Sequence, residues 1–134
     1  MRLAARSTAA SPLDALVETL AGLARDVETP EQMANSLSLL LIDLTDAQFY
    51  QHVRAVTETM LLESRALLDR AVAAHELIRC DTARLARAVQ TTFDGALILW
   101  AIDRQGALMD RVRDELGFLL DPFRVGSNQL RVEG

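Results

Sequence analysis

Lysine is absent from the 134 residues, so every strong base is an arginine, and 14 of them face 19 acidic residues for a formal net charge of −5. An acidic chain without a basic patch is a poor binder of nucleic acid by itself, because phosphate contacts supply most of that affinity. The arginine-only bias suggests a GC-rich bacterial genome and carries no mechanism. A single cysteine, Cys80, excludes an intramolecular disulfide, and nothing argues for an oxidising compartment. Three prolines, six glycines and 4% aromatics, beside 50% apolar residues, are the composition of an all-helical domain rather than a sheet. The longest charge-free run, Gln32 to Ile42, falls far short of the roughly 20 residues that cross a bilayer. Arg2 and Arg6 precede no apolar segment of the kind a signal peptide needs. The chain is expected to be cytoplasmic, with no membrane partner.

Catalytic signatures are missing too. A di-iron helical bundle needs Glu-x-x-His pairs, and the residues three before His52 and His75 are Phe49 and Val72. No glycine-rich phosphate loop, serine-centred elbow, Cys-x-x-Cys pair or His-Glu-x-x-His zinc motif occurs. Neither an enzyme, a cofactor nor a metal is expected, since no acid, base and nucleophile converge.

What remains is helical patterning. Ser11 before Pro12, with Asp14 in the first turn, starts a helix that buries Leu13, Leu16, Val17, Leu20, Leu23, Ala24 and Val27. Thr29, three residues before Gln32, forms a capping box for a second helix reaching about Leu44. Its stripe is Met33, Leu37, Leu40 and Leu44. Leu39, Leu41 and Ile42 make its later half apolar nearly all round, which predicts the central, most buried helix. Asp46 caps a third helix to about Ala74, with the stripe Phe49, Val53, Val56, Met60, Leu67 and Ala71, interrupted by Ser64. His75 to Asp81 reads as a connecting loop.

The last third carries more apolar surface than one small helical core covers. Asp81 to Asp103 begins with one stripe, Leu85, Val89, Phe93, Ala96 and Trp100, and from Ala96 to Ile102 every residue is apolar. Gly95 sits where the change occurs; a mid-helix glycine costs about 1 kcal/mol against alanine, and close approach of another backbone is a reason to keep it. The final helix places Leu108, Met109, Val112, Leu116, Leu119, Leu120 and Phe123 on one face, with Phe118 opposite, beside Arg111 and Glu115. Surplus apolar surface on two adjacent helices fits a symmetric dimer interface.

The segments TARLARAVQTTFDGALILWAID and ALMDRVRDELGFLLDPF resemble the last two helices of TetR-family transcriptional regulators, and the similarity extends more loosely upstream to about Pro12. The resemblance implies an all-α, five-helix orthogonal or antiparallel bundle like the TetR effector-binding and dimerisation domain, whose last two helices build a four-helix bundle in a homodimer. The family's DNA-reading helix-turn-helix needs roughly 20 residues with a glycine-containing turn, and nothing in this chain supplies it. The expected organisation is 1–10 as a tail or remnant of a connecting helix, 11–124 as the helical domain and 125–134 as a flexible tail. The family usually has glycine where His75 stands.

In such a domain the second, third and fourth helices enclose a mostly apolar pocket for a small apolar effector. The candidate lining is Met33, Leu37, Leu41, Phe49, Val53, Val56, Met60, Phe93 and Trp100, with His52, Ser64 and Thr92 as polar candidates. The candidate interface is Arg87, Thr91, Asp94, Gly95, Ile98, Leu99, Ile102, Arg111, Glu115, Phe118 and Pro122. The expected role is ligand sensing in transcription regulation, as part of a repressor. The alternative is a helical interaction protein whose same residues simply form a core; a sizeable closed cavity near Trp100 separates the two.

Overall fold

A computed structural model describes residues 11–126. Five helices follow one another: α1 (Pro12–Leu23), α2 (Pro30–Asp43), α3 (Ala47–Ala73), α4 (Thr82–Asp103) and α5 (Leu108–Leu120), then a 3-10 turn, Asp121–Phe123. The described residues form no strand, so the fold is all-α. Positions 1–10 and 127–134 of the expected tails lie outside the described residues. Val125, expected to open the flexible tail, is instead held: its N–H donates to the Glu76 carbonyl at 3.2 Å, and Leu77 bridges Arg124.

Local chemistry sets the helix starts. Ser11 Oγ accepts from the Asp14 N–H at 2.9 Å, and Asp46 Oδ1 from the Gln48 N–H at 3.0 Å. At α2, Thr29 Oγ1 accepts from the Gln32 N–H at 3.1 Å while Gln32 Oε1 accepts from the Thr29 N–H at 3.2 Å. These side chains satisfy donors that a helix start leaves unpaired. The end of α3 turns without glycine. His75 takes φ 61°, and the His75 and Glu76 N–H groups donate back to the Val72 and Ala71 carbonyls, a left-handed closure of the kind glycine usually provides.

The core sits where α1, the second half of α3, α4 and α5 meet. Each helix contributes a stripe at three- and four-residue steps: Leu13, Leu16 and Leu20 from α1, Leu67, Leu68 and Ala71 from α3, Leu85, Val89, Phe93, Ala96 and Trp100 from α4, and Leu108, Val112, Leu116 and Leu120 from α5, all buried. Leu23, expected inside, is exposed, because the chain leaves α1 for the loop to α2 at that turn. Ser64, which interrupts the α3 stripe, is itself buried. Arg113 clamps Glu18, joining α5 to α1, with Nε and Nη2 both 3.0 Å from carboxylate oxygens.

The second helix reverses its expectation. Instead of being the most buried, α2 buries Met33 alone; Leu37 is half-buried, while Leu39, Leu40, Leu41, Ile42 and Leu44 are exposed, Leu41 by 65%. The reason is placement: α2 lies along α4 and barely meets α3, so one face is covered and the others have no neighbour in the chain. The first half of α3 is similarly uncovered, with Phe49, Tyr50 and Val56 exposed.

Candidate functional site

The separation of α2 from α3 leaves a groove of about 480 Å³, floored by α4. Leu37 and Leu40 of α2 form one wall, His52, Val53, Val56, Thr57 and Met60 of α3 the other, and Gln90, Phe93, Asp94, Leu97 and Ile98 of α4 the floor. The volume lies within the roughly 300–1,000 Å³ typical of small-molecule sites. The walls are largely aliphatic and stay open because the uncovered half of the α3 stripe faces a helix that never closes on it.

Of the residues named from sequence as effector-lining, the structure gathers Leu37, His52, Val53, Val56, Met60 and Phe93 around the groove. The others lie elsewhere. Met33, Ser64 and Trp100 are buried in the core, and the Trp100 indole Nε1 donates to the Gly106 carbonyl at 2.9 Å, which fixes the ring against the α4–α5 connection. Leu41 and Phe49 point into solvent, and Thr92 belongs to a second space, of about 310 Å³, on the outer side of α4. The space is an open groove beside Phe93, not a closed cavity near Trp100.

Two residues assigned from sequence to the dimer face, Asp94 and Ile98, also line the groove. On a helix Gln90, Asp94 and Leu97 lie between the buried stripe and the outer face, so only the position of α2 decides which side they serve. Gln90 Nε2 donates to Asp94 Oδ1 at 3.0 Å, one turn apart. Asp94 is exposed as a residue, but partial desolvation beside the groove pushes its carboxyl above the usual carboxylate range, with the Gln90 hydrogen bond opposing this. Gln90 Oε1 is buried and accepts no hydrogen bond. Gln90 and Leu97 belong to the groove but carried no distinguishing sequence signal beyond their turn spacing from Asp94.

The remaining candidate interface residues sit on the outer side of α4 and α5 or near it. Arg87 and Thr91 line the same 310 Å³ space as Thr92, Leu99 is exposed, Ile102 is 71% exposed and Phe118 82%. Glu115 is exposed and Pro122 is half-buried in the 3-10 turn. Gly95 is half-buried, yet a Cβ there would meet nothing within 4 Å beyond its own helix. Arg111 is engaged within the chain: its Nη1 donates to Asp103 Oδ1 at 2.7 Å and to the Gln105 carbonyl at 3.2 Å. That hydrogen bond holds the Asp103 carboxyl below its usual range.

Cys80 is half-buried beside the loop before α4. Burial, then Asp81 and Asp69, push its thiol pKa up, which suppresses the thiolate needed for redox reactivity. Among the described residues no three potential ligands cluster as a metal site, and no helix is long and apolar enough to cross a membrane. Compared with protein-family models, curated proteins and solved structures, the chain matches none.

Proposed function

We propose that this chain is a dimerising regulatory domain that senses a small apolar molecule in the groove between α2, α3 and α4, in the manner the TetR resemblance implies. The observation that carries the reading is the groove itself, an open space of about 480 Å³ with largely aliphatic walls on one side of a packed core, in place of the closed cavity near Trp100 expected to separate ligand sensing from a plain interaction protein. Apolar walls left open lose the burial that packing would give, and a bound apolar molecule would recover it. Leu99, Ile102 and Phe118 on the outer side of α4 and α5 supply a second, separate apolar surface for the partner copy. In this reading the ligand acts through α2, the helix least tied to the core, and the effector site and dimer surface share α4 as a common floor.

Nile red, an uncharged apolar dye, tests the groove. Its fluorescence should rise on binding the wild-type chain, and Val56→Trp or Met60→Trp, which fill the groove from α3, should abolish the rise while leaving the helical circular dichroism unchanged. Equal dye binding by wild type and both variants would place the dye elsewhere and remove the groove from the account.

A further inference from the structure

The outer side of α4 carries an unfilled hole. Arg84, Arg87, Ala88 and Thr91 fall at positions i, i+3, i+4 and i+7 of one helix, and with Thr92 they line the space of about 310 Å³. Four residues of one helix make the hole that receives a side chain when two helices interlock. Ala88 contributes only a methyl group, so a bulky side chain has room between the arginine stems and the threonines. No residue of another described helix lines the space, and Arg84 and Arg87 form no ion pair among the described residues. A matching knob stands on α5. Phe118 is 82% exposed, more than any other large apolar side chain among the described residues, and it does not line the hole of its own chain. Glu115, nearly one turn earlier, also forms no ion pair among the described residues, since the neighbouring Arg111 is engaged by Asp103.

Knob and hole stand at the same level of the molecule because α4 and α5 run antiparallel. At one end Arg84, Leu85 and Ala88 share a space with Leu119 and Phe123, and at the other Asp103 accepts a hydrogen bond from Arg111. Phe118 and Glu115 therefore stand level with the stretch of α4 around Ala88 to Thr92. A two-fold axis along the helices keeps that level while exchanging α4 for α5, and it carries each copy's knob over the other's hole. We infer that the hole formed by Arg84, Arg87, Ala88 and Thr91 receives the partner's Phe118, and that Arg87 pairs with the partner's Glu115. The guanidinium groups then meet the aromatic ring and the carboxylate together, and symmetry repeats the contact. This inference rests on dimerisation through α4 and α5, and it adds the seat and the orientation that the exposed apolar residues leave open. A two-fold axis across the helices would instead lay α4 on α4, setting the two arginines over the apolar end of the partner helix with no carboxylate to meet.

Charge reversal, read by sedimentation equilibrium, tests the pairing. Arg87→Glu and Glu115→Arg, made separately, each set like charges across both contacts of the dimer. Each should raise the dimer dissociation constant by at least about tenfold while leaving helical circular dichroism unchanged. Mixed in equal amounts, the two variants restore opposite charges at both contacts, and the mixture should return to within about threefold of wild type. Photocross-linking tests the seat: p-benzoylphenylalanine in place of Phe118 should link to the partner's segment 84–92. Single variants that dimerise as tightly as wild type, a mixture that fails to recover, or a cross-link to any other segment would overturn the inference while leaving a dimer of another geometry. A wild-type chain that stays single in solution would overturn the dimer with it.

Discussion

His75 and Asp94 each occupy a position that a different residue would hold at lower free energy. His75 lies in the left-handed region at φ 61°, where a side chain with a Cβ is disfavoured. His75→Gly should stabilise the domain by about 0.5–1 kcal/mol, the relief of that conformation exceeding glycine's extra freedom in the unfolded chain; an unchanged or lower denaturation midpoint would contradict this. For Asp94 the sign follows from partial desolvation. Its folded carboxyl titrates above the unfolded value, so the folded state binds the proton more readily. The stability this proton supplies is fully present below the unfolded value and is lost as pH rises through the raised folded one. Asp94→Asn should therefore melt above wild type at neutral pH, with the difference shrinking as pH falls through the carboxylate range. The effect should be small, since part of Asp94 remains in water. From sequence Asp94 reads as part of a polar outer face; its groove position depends on where α2 lies, which no local pattern contains.

Among the elements, α2 is bound most lightly. It holds to the core through Met33 and Leu37, to the end of α4 through the Arg104 to Glu31 ion pair, and to its own start through the Thr29 and Gln32 capping box. Thr29→Ala removes one half of that box, which should lower stability by about 1 kcal/mol. It should also speed amide exchange along α2 well before it affects α4. Uniform acceleration across all helices would show instead that α2 opens only with the whole domain. Helix limits and caps were legible because their causes lie within a few residues: Ser11 with Asp14, Thr29 with Gln32, Asp46 with Gln48. The α4 and α5 stripes were legible for the same reason, since three- and four-residue spacing marks one face wherever the helix goes. The burial of α2 was not. Leu39, Leu41 and Ile42 are apolar whether covered or bare, and their spacing records how much surface wants cover without recording whether the same chain supplies it.

At the scale of the molecule, the apolar surface left outside the core falls into two regions. One is the groove with its α2 and α3 rims; the other is the outer side of α4 and α5, where Ile102 is 71% and Phe118 82% exposed. Exposed apolar residues grouped on adjacent helices mark association surfaces. Gly95 belongs to the second region, and no other part of the described chain comes within 4 Å of where its Cβ would stand; in the proposed dimer the partner copy takes that space. Gly95→Leu should block that approach, and Phe118→Glu should place a charge in the contact. Each should lower the solution mass from dimer to monomer with helical content preserved, as measured by light scattering. The surplus itself was visible in the all-apolar run from Ala96 to Ile102. Its division between groove and outer face was not, because Ile98 lies where the two meet and serves the groove.

A native mass spectrum of the purified chain reads both halves of the proposal at once. The account predicts twice the chain mass, with Nile red added at substoichiometric amounts appearing as up to one adduct per chain, and Phe118→Glu shifting the species to single chains. A wild-type spectrum showing only bare single chains, with no adduct as the dye is raised, would contradict the dimerising ligand-sensing domain.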